Sequence, residues 1–360
     1  MKRTPEMMLI ADAIPRTARR VRTPLLAALL LATLPTLALA QERIRWPVTW
    51  KTGQSFIYES ESLERELDDG GIRVSRSTDV TEVRIAEAGP GGTLQHWTSR
   101  DSRIETIEGD RATTDAVAPL LEEFEGFVVQ VELGPDGRYR SLRNLDETAA
   151  KVRQVMLPLG GTGLEEISAR MDPDMPAAER EMIIAIARRN MEEMMKKFFT
   201  DEMVEAMTSG GVKGITRFAG GEFEAGRRYR DAEPIESPLL GRKLPARREF
   251  TFSVDKDDPA LARVEWTHTL DASGDPAPLW GLVSELTTGG LDTARGEGRP
   301  KDLALREDGM MLFRRDSGVV EMMETVVTSR YGKEHDEHDR NRMRLRGSTR
   351  DWPAEATRTR

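Results

Sequence analysis

The sequence of 360 residues contains no cysteine. That absence excludes structural disulfides, thiolate zinc sites, cysteine nucleophiles and a lipidated N-terminal cysteine, because each depends on the sulfur atom. Histidine is scarce, with four residues, and aromatic side chains make up only 6% of the chain. An excess of positive charge is also missing. The formal net charge is −9, which argues against a nucleic-acid partner, since phosphate neutralisation needs a clustered basic surface. No G-x-S-x-G elbow, H-E-x-x-H helix, Walker loop or Rossmann fingerprint occurs, so no cofactor is expected and the expectation leans away from an enzyme. Ser253 to Lys256 fits S-x-x-K and Lys51 to Gly53 fits K-T-G. Their order is reversed relative to the penicillin-recognising enzymes and no S-D-N lies between them, so the match fails.

Residues 23–40 form a short apolar run, preceded by Arg16, Arg19, Arg20 and Arg22 and closed by Ala38, Leu39 and Ala40. This pattern predicts a secretory signal peptide cleaved after Ala40. The run is interrupted by Pro35 and too short to span about 30 Å of hydrocarbon, and small residues at its end suit signal peptidase. The expected location is periplasmic or secreted, with no transmembrane segment after cleavage. The leader holds six basic residues against two acidic ones, so the mature chain would carry −13 where the whole chain carries −9.

The mature chain divides by periodicity. Residues 41–143 alternate apolar and polar side chains, as in residues 56–63 and 80–85, with Gly and Asp turns between runs. That is the signature of antiparallel strands with one wet face. Residues 127–133 and 138–142 flank Gly134-Pro135-Asp136-Gly137 and read as a hairpin. Residues 144–209 change to a helical period: one helix over 146–157, a second over 174–199, and a short third from Thr200 to Met207 that ends before Gly210 and Gly211. Residues 210–331 return to strands, and 332–360 read as a charged, mobile tail. The expected fold is α+β: a large curved antiparallel β-sheet, in one piece or as two related halves, with the helical unit inserted and packed on one face.

Nine of the 17 methionines fall in the helical insert. Met191, Met194 and Phe198 fall on one helix face and Met195 and Phe199 widen it into an adaptable apolar stripe, which makes these five the candidate ligand-binding residues. His335 and His338, among acidic neighbours, are the candidate metal ligands. No catalytic residue stands out. The function expected is that of an exported, non-enzymatic envelope protein binding an apolar small molecule or an envelope protein. The alternatives are a periplasmic hydrolase, for which a cleft gathering His96 or His268 with carboxylates would speak, and a scaffolding protein.

Overall fold

Alternation of side chains produces unusually long strands. The computed structural model describes residues 42–68, 71–156, 175–237, 242–270, 304–331, 335–348, 350 and 352. Its first part comprises β1 (Arg43–Arg45), β2 (Ser55–Asp68), β3 (Gly71–Gly89), β4 (Gly92–Glu108), α1 (Ala112–Glu122), β5 (Val128–Leu133) and β6 (Tyr139–Leu142). Three helices follow: α2 (Leu145–Met156), α3 (Ala177–Phe198) and α4 (Asp201–Thr216). The remaining strands are β7 (Glu222–Glu224), β8 (Arg228–Asp231), β9 (Ile235–Ser237), β10 (Arg242–Leu244), β11 (Ala246–Val254), β12 (Leu261–Leu270), β13 (Ala304–Arg314), β14 (Val320–Tyr331) and β15 (His335–Leu345).

Eleven strands form one sheet in the order β6-β5-β4-β3-β2-β15-β14-β13-β12-β11-β8, while β1 pairs with β7 and β9 with β10. Every pairing is antiparallel. The sheet is large and not closed; β6 and β8 are its edges.

The two faces differ because register sends alternate residues to opposite sides. On one face Phe250, Phe252, Val264, Trp266, Met311 and Phe313 form the centre of the core with Trp46 and Phe218. Trp46 stacks on Phe313 with ring centres 4.0 Å apart, and Phe223 stacks on Phe252 at 4.0 Å. The other face carries a ladder of ion pairs across distant segments. Glu59 meets Arg344 and Arg346 at 2.9 Å, Glu61 meets Arg76 and Arg342 at 2.5 Å, and Glu324 meets Arg340 at 2.6 Å. Such pairs add little stability individually, but a one-residue slip would set these charges against the core, so they help hold register.

Gly309 on β13 lies opposite Trp266. A Cβ there would fall 2.1 Å from the indole ring, so glycine is what lets the ring lie flat on the strand. Gly309→Ala is expected to displace Trp266 and lower stability by about 1.5 kcal/mol. Urea unfolding measures this, and an unchanged midpoint would mean that the ring is not pinned.

Three expectations are corrected. Residues 41–143 are not all strand, because α1 packs on β4, its Thr114 hydroxyl bonded to Thr106 and the Asp110 carboxylate accepting the Ala112 N–H at 3.0 Å. α4 does not stop at Met207 but continues through Gly210 and Gly211 to Thr216. Burial of Val212, Ile215 and Thr216 outweighs a glycine cost of about 1 kcal/mol each. Residues 335–345 are not a mobile tail: β15 is an interior strand, paired with β14 and β2 along its length. Its polar residues occupy both faces, so apolar alternation was missing, and the partners that neutralise its arginines lie far away in sequence. Residues 353–360 lie outside the described residues.

Candidate functional site

Beyond the aromatic core, the same face of the sheet changes from large apolar to small polar side chains. On β2 and β3 the sequence runs Tyr58, Ser60, Ser62 and Ser77, Asp79, Thr81 at alternate positions. Register places Ser60 opposite Asp79 and Met343, Ser62 opposite Ser77 and Asn341, and Thr81 opposite Tyr58 and Ser99. Directly paired residues share a face, so hydroxyls, one carboxylate and two methionines, Met323 and Met343, meet there.

α4 borders this stretch. The Thr200 side chain caps it by accepting the Met203 N–H at 3.2 Å, and Asp201 and Glu202 suit the positive end of its dipole. Val212 packs with Val131, Leu133 and Leu142, while Ile215 and Phe218 join the main core. Between helix and sheet lie two adjoining recesses. One, of about 270 Å³, is lined by Tyr58, Ser60, Asp79, Gly211, Ile215 and Met343 among others; the second, of about 200 Å³, by Phe124, Phe127, Val129, Val131, Thr208 and Val212. Thr81 and Trp97 line both, so together they make a groove with an apolar wall and a polar floor. A third space of about 30 Å³ beside Trp46, Tyr58 and Ile215 has room for about one water molecule.

The polar floor has a defined bonding pattern. Asp79 Oδ1 accepts from the Ser99 and Ser102 hydroxyls at 2.6 Å, and Oδ2 accepts from the Thr81 hydroxyl. Trp97 is oriented by donating its indole N–H to Gln95 at 2.9 Å.

Two further polar groups lie on this face. At its far end, oxygens of Glu64, Glu337 and Asp339 lie within 4.8 Å of one another, close enough to share a cation. Partial burial, with the like charges of Glu337, Glu64 and Glu66, pushes the Asp339 carboxyl up to about 7. Near β12, Glu307 accepts from Arg217 at 3.0 Å and from the Trp266 indole at 2.5 Å. His268, 3% exposed, lies across from Glu307, its Nε2 2.7 Å from the Glu233 carbonyl oxygen. This buried cluster ties the end of α4 to the sheet; the recesses above are not lined by His268. His96 precedes Trp97 on β4 and so occupies the face opposite the groove.

The residues singled out from sequence fare differently. Met191, Met194, Met195 and Phe198 lie on α3, and their side chains are outside the described residues. Phe199 is not in the groove: it is 5% exposed and packs with Ala149, Met203 and Val204 between α2 and α4. His335 and His338 both lie on β15, and the side chain of His335 is outside the described residues. His338 is exposed, with Nδ1 3.4 Å from the Thr328 hydroxyl. The groove residues were missed because Ser60, Ser62, Ser77 and Asp79 look like an ordinary wet face; the available signal was that the alternate positions already carry the Arg and Glu ladder.

No protein-family model matches the chain, and no curated protein matches it. Among solved structures, lipovitellin, from a structure described as lipid–protein interactions in lipovitellin, aligns with a TM-score of 0.42 and 7% identity. The alignment covers 85% of this chain and 26% of lipovitellin, so the chain spans about a quarter of that protein's length. Ail, the attachment invasion locus protein of Yersinia pestis, aligns with a TM-score of 0.12 and 5% identity over 82% of this chain and 99% of Ail. Both likenesses are remote.

Proposed function

We propose that this chain is an exported, non-enzymatic envelope protein that holds an apolar ligand in the groove between α4 and the sheet. The observation that carries this reading is the pair of joined recesses, about 270 and 200 Å³, walled by Trp97, Ile215, Phe124, Phe127 and two methionines. Together they fall within the roughly 300–1,000 Å³ typical of small-molecule sites. Each methylene moved from water into such a space gains about 0.8 kcal/mol, and methionine side chains adapt to chains of different shape. The apolar run ending at Ala40 supports export to the periplasm or beyond. Among the described residues no helix is long and apolar enough to cross a membrane. The strand order, with β2 to β6 on one side of the β2–β15 seam and the later strands on the other, supports a sheet of two related halves. A protein partner is the second reading, supported by Met182 and Ile186, one turn apart on α3 and 57% and 53% exposed.

Gly211 provides the test. It lines the larger recess, and open space lies where its Cβ would stand. Gly211→Trp should therefore fill the groove without straining the helix. With a neutral naphthalene-type fluorophore as probe, the full-length wild-type chain should bind and Gly211→Trp should bind at least tenfold more weakly at an unchanged Tm. A wild-type chain that leaves the probe in water would overturn the reading.

A further inference from the structure

We infer that the ligand of this groove is a single-chain amphiphile with a cationic, N–H-bearing head, seated with its ammonium group at Asp79. The inference rests on the ligand-holding reading above and names the chemical class of the ligand.

Charge complementarity carries it. Three charged residues line the larger recess: Glu61, Asp79 and Arg342. Glu61 and Arg342 neutralise each other across the outer ladder at 2.5 Å, which leaves Asp79 as the net charge of the recess. The surrounding hydroxyls strengthen the preference through their proton positions. Thr81, Ser99 and Ser102 bond to Asp79, and Ser99 lies 2.7 Å from Ser102. Each hydroxyl has a single proton, so all three protons are used inside the cluster and none is left to donate to a ligand. Beside Asp79 the site therefore accepts hydrogen bonds, while the donors of the recess, the Ser60, Ser62 and Ser77 hydroxyls and the Asn341 amide, stand around it. An ammonium group offers three donors and one positive charge; a carboxylate or phosphate head would bring its own charge against Asp79. Ser60, Ser62 and Ser77 line the same recess and can accept the remaining N–H groups. Further along this face Arg73 is already bonded to Glu66. The tail then follows the apolar wall past Trp97 towards Phe124, Phe127 and Val129.

The test compares one tail with different heads, at concentrations below micelle formation, on the purified full chain. Dodecylamine, charged at pH 7 as a lysine side chain is, is expected to displace the neutral fluorophore at least tenfold more tightly than dodecanol, with dodecanoate weaker still. Dodecyltrimethylammonium, which keeps the charge but lacks N–H donors, should fall between dodecylamine and dodecanol. Asp79→Asn, folded by circular dichroism, should abolish the preference for dodecylamine over dodecanol. Binding of dodecanoate equal to or tighter than that of dodecylamine in the wild-type chain overturns the head-group inference and leaves the groove reading intact. That comparison needs no variant, so misfolding of Asp79→Asn cannot shield the inference. Failure of all the heads to bind overturns both readings.

Discussion

Arg217→Met is expected to destabilise the protein by about 3 kcal/mol at pH 7, because it removes the cation that faces a largely buried carboxylate. Arg217 and Glu307 are joined at 3.0 Å with side chains only 17% and 23% exposed. Burial by itself pushes the Glu307 carboxyl up; Arg217, the Trp266 N–H and the charge of His268 outweigh it and hold the group below its ordinary value of 4.5. The folded state therefore binds a proton less readily than the unfolded chain. This contribution to stability is fully present above about pH 4.5 and is lost as pH falls through the lowered value. Without Arg217 the same carboxylate becomes costly when charged, so the deficit of Arg217→Met should be greatest at pH 7 and shrink towards pH 4. Urea unfolding at the two pH values measures this. Adding Glu307→Gln should recover a large part of the loss, since the amide still accepts the Trp266 N–H and carries no charge to strand. An equal deficit at both pH values would mean that Arg217 acts through packing, including its stacking 5.6 Å from the Trp266 ring, and not through charge.

Asp339→Asn should act in the opposite direction and stabilise the protein by about 2 kcal/mol at pH 8, a figure reduced from the full linkage value because the side chain is only partly buried. In the unfolded chain this carboxyl ionises near its ordinary value of 3.8, whereas in the fold burial and the facing carboxylates raise it to about 7. Between those values the folded protein keeps a proton that the unfolded chain has released. Stability therefore falls as pH rises from about 4 to 7 and is level above. Asparagine cannot ionise, so wild type and variant should have the same Tm near pH 4 and diverge by pH 8. Equal Tm values at pH 8 would show that Asp339 is solvated well enough to ionise normally. Glu64 and Glu337 have hydroxyl donors in Ser75 at 3.2 Å and Ser329 at 2.9 Å, whereas Asp339 Oδ1 is buried without a hydrogen-bond partner. That difference is why the stress falls on Asp339.

Much of the strand architecture could be read directly. The hairpin of β5 and β6 stands where Gly134 to Gly137 predicted a turn, with Gly137 in the left-handed region at φ +79°. α2 and α3 lie where the helical period and the acidic first turns placed them. β15 could not be read in this way. A strand that places Asp339, Asn341 and Met343 on one face and Arg340, Arg342 and Arg344 on the other has no apolar rhythm, and it becomes a strand because Glu59, Glu61 and Glu324 stand opposite. α4 escaped for a related reason: its glycines favour a break locally, and only the sheet beneath Val212 and Ile215 makes the longer helix the better state.

By itself, then, the sequence determined the absence of thiol chemistry, the mainly antiparallel β architecture and the helices between strands, because composition and side-chain period are local properties of the chain. Tertiary structure decided which polar residues share a face and which segments lie next to each other in the sheet. Asp79 gains two hydroxyls of its shell from β4, its methionine neighbours from β14 and β15, and its roof from α4. These meet only through register between distant strands, and register depends on the sum of all pairings and not on any one segment.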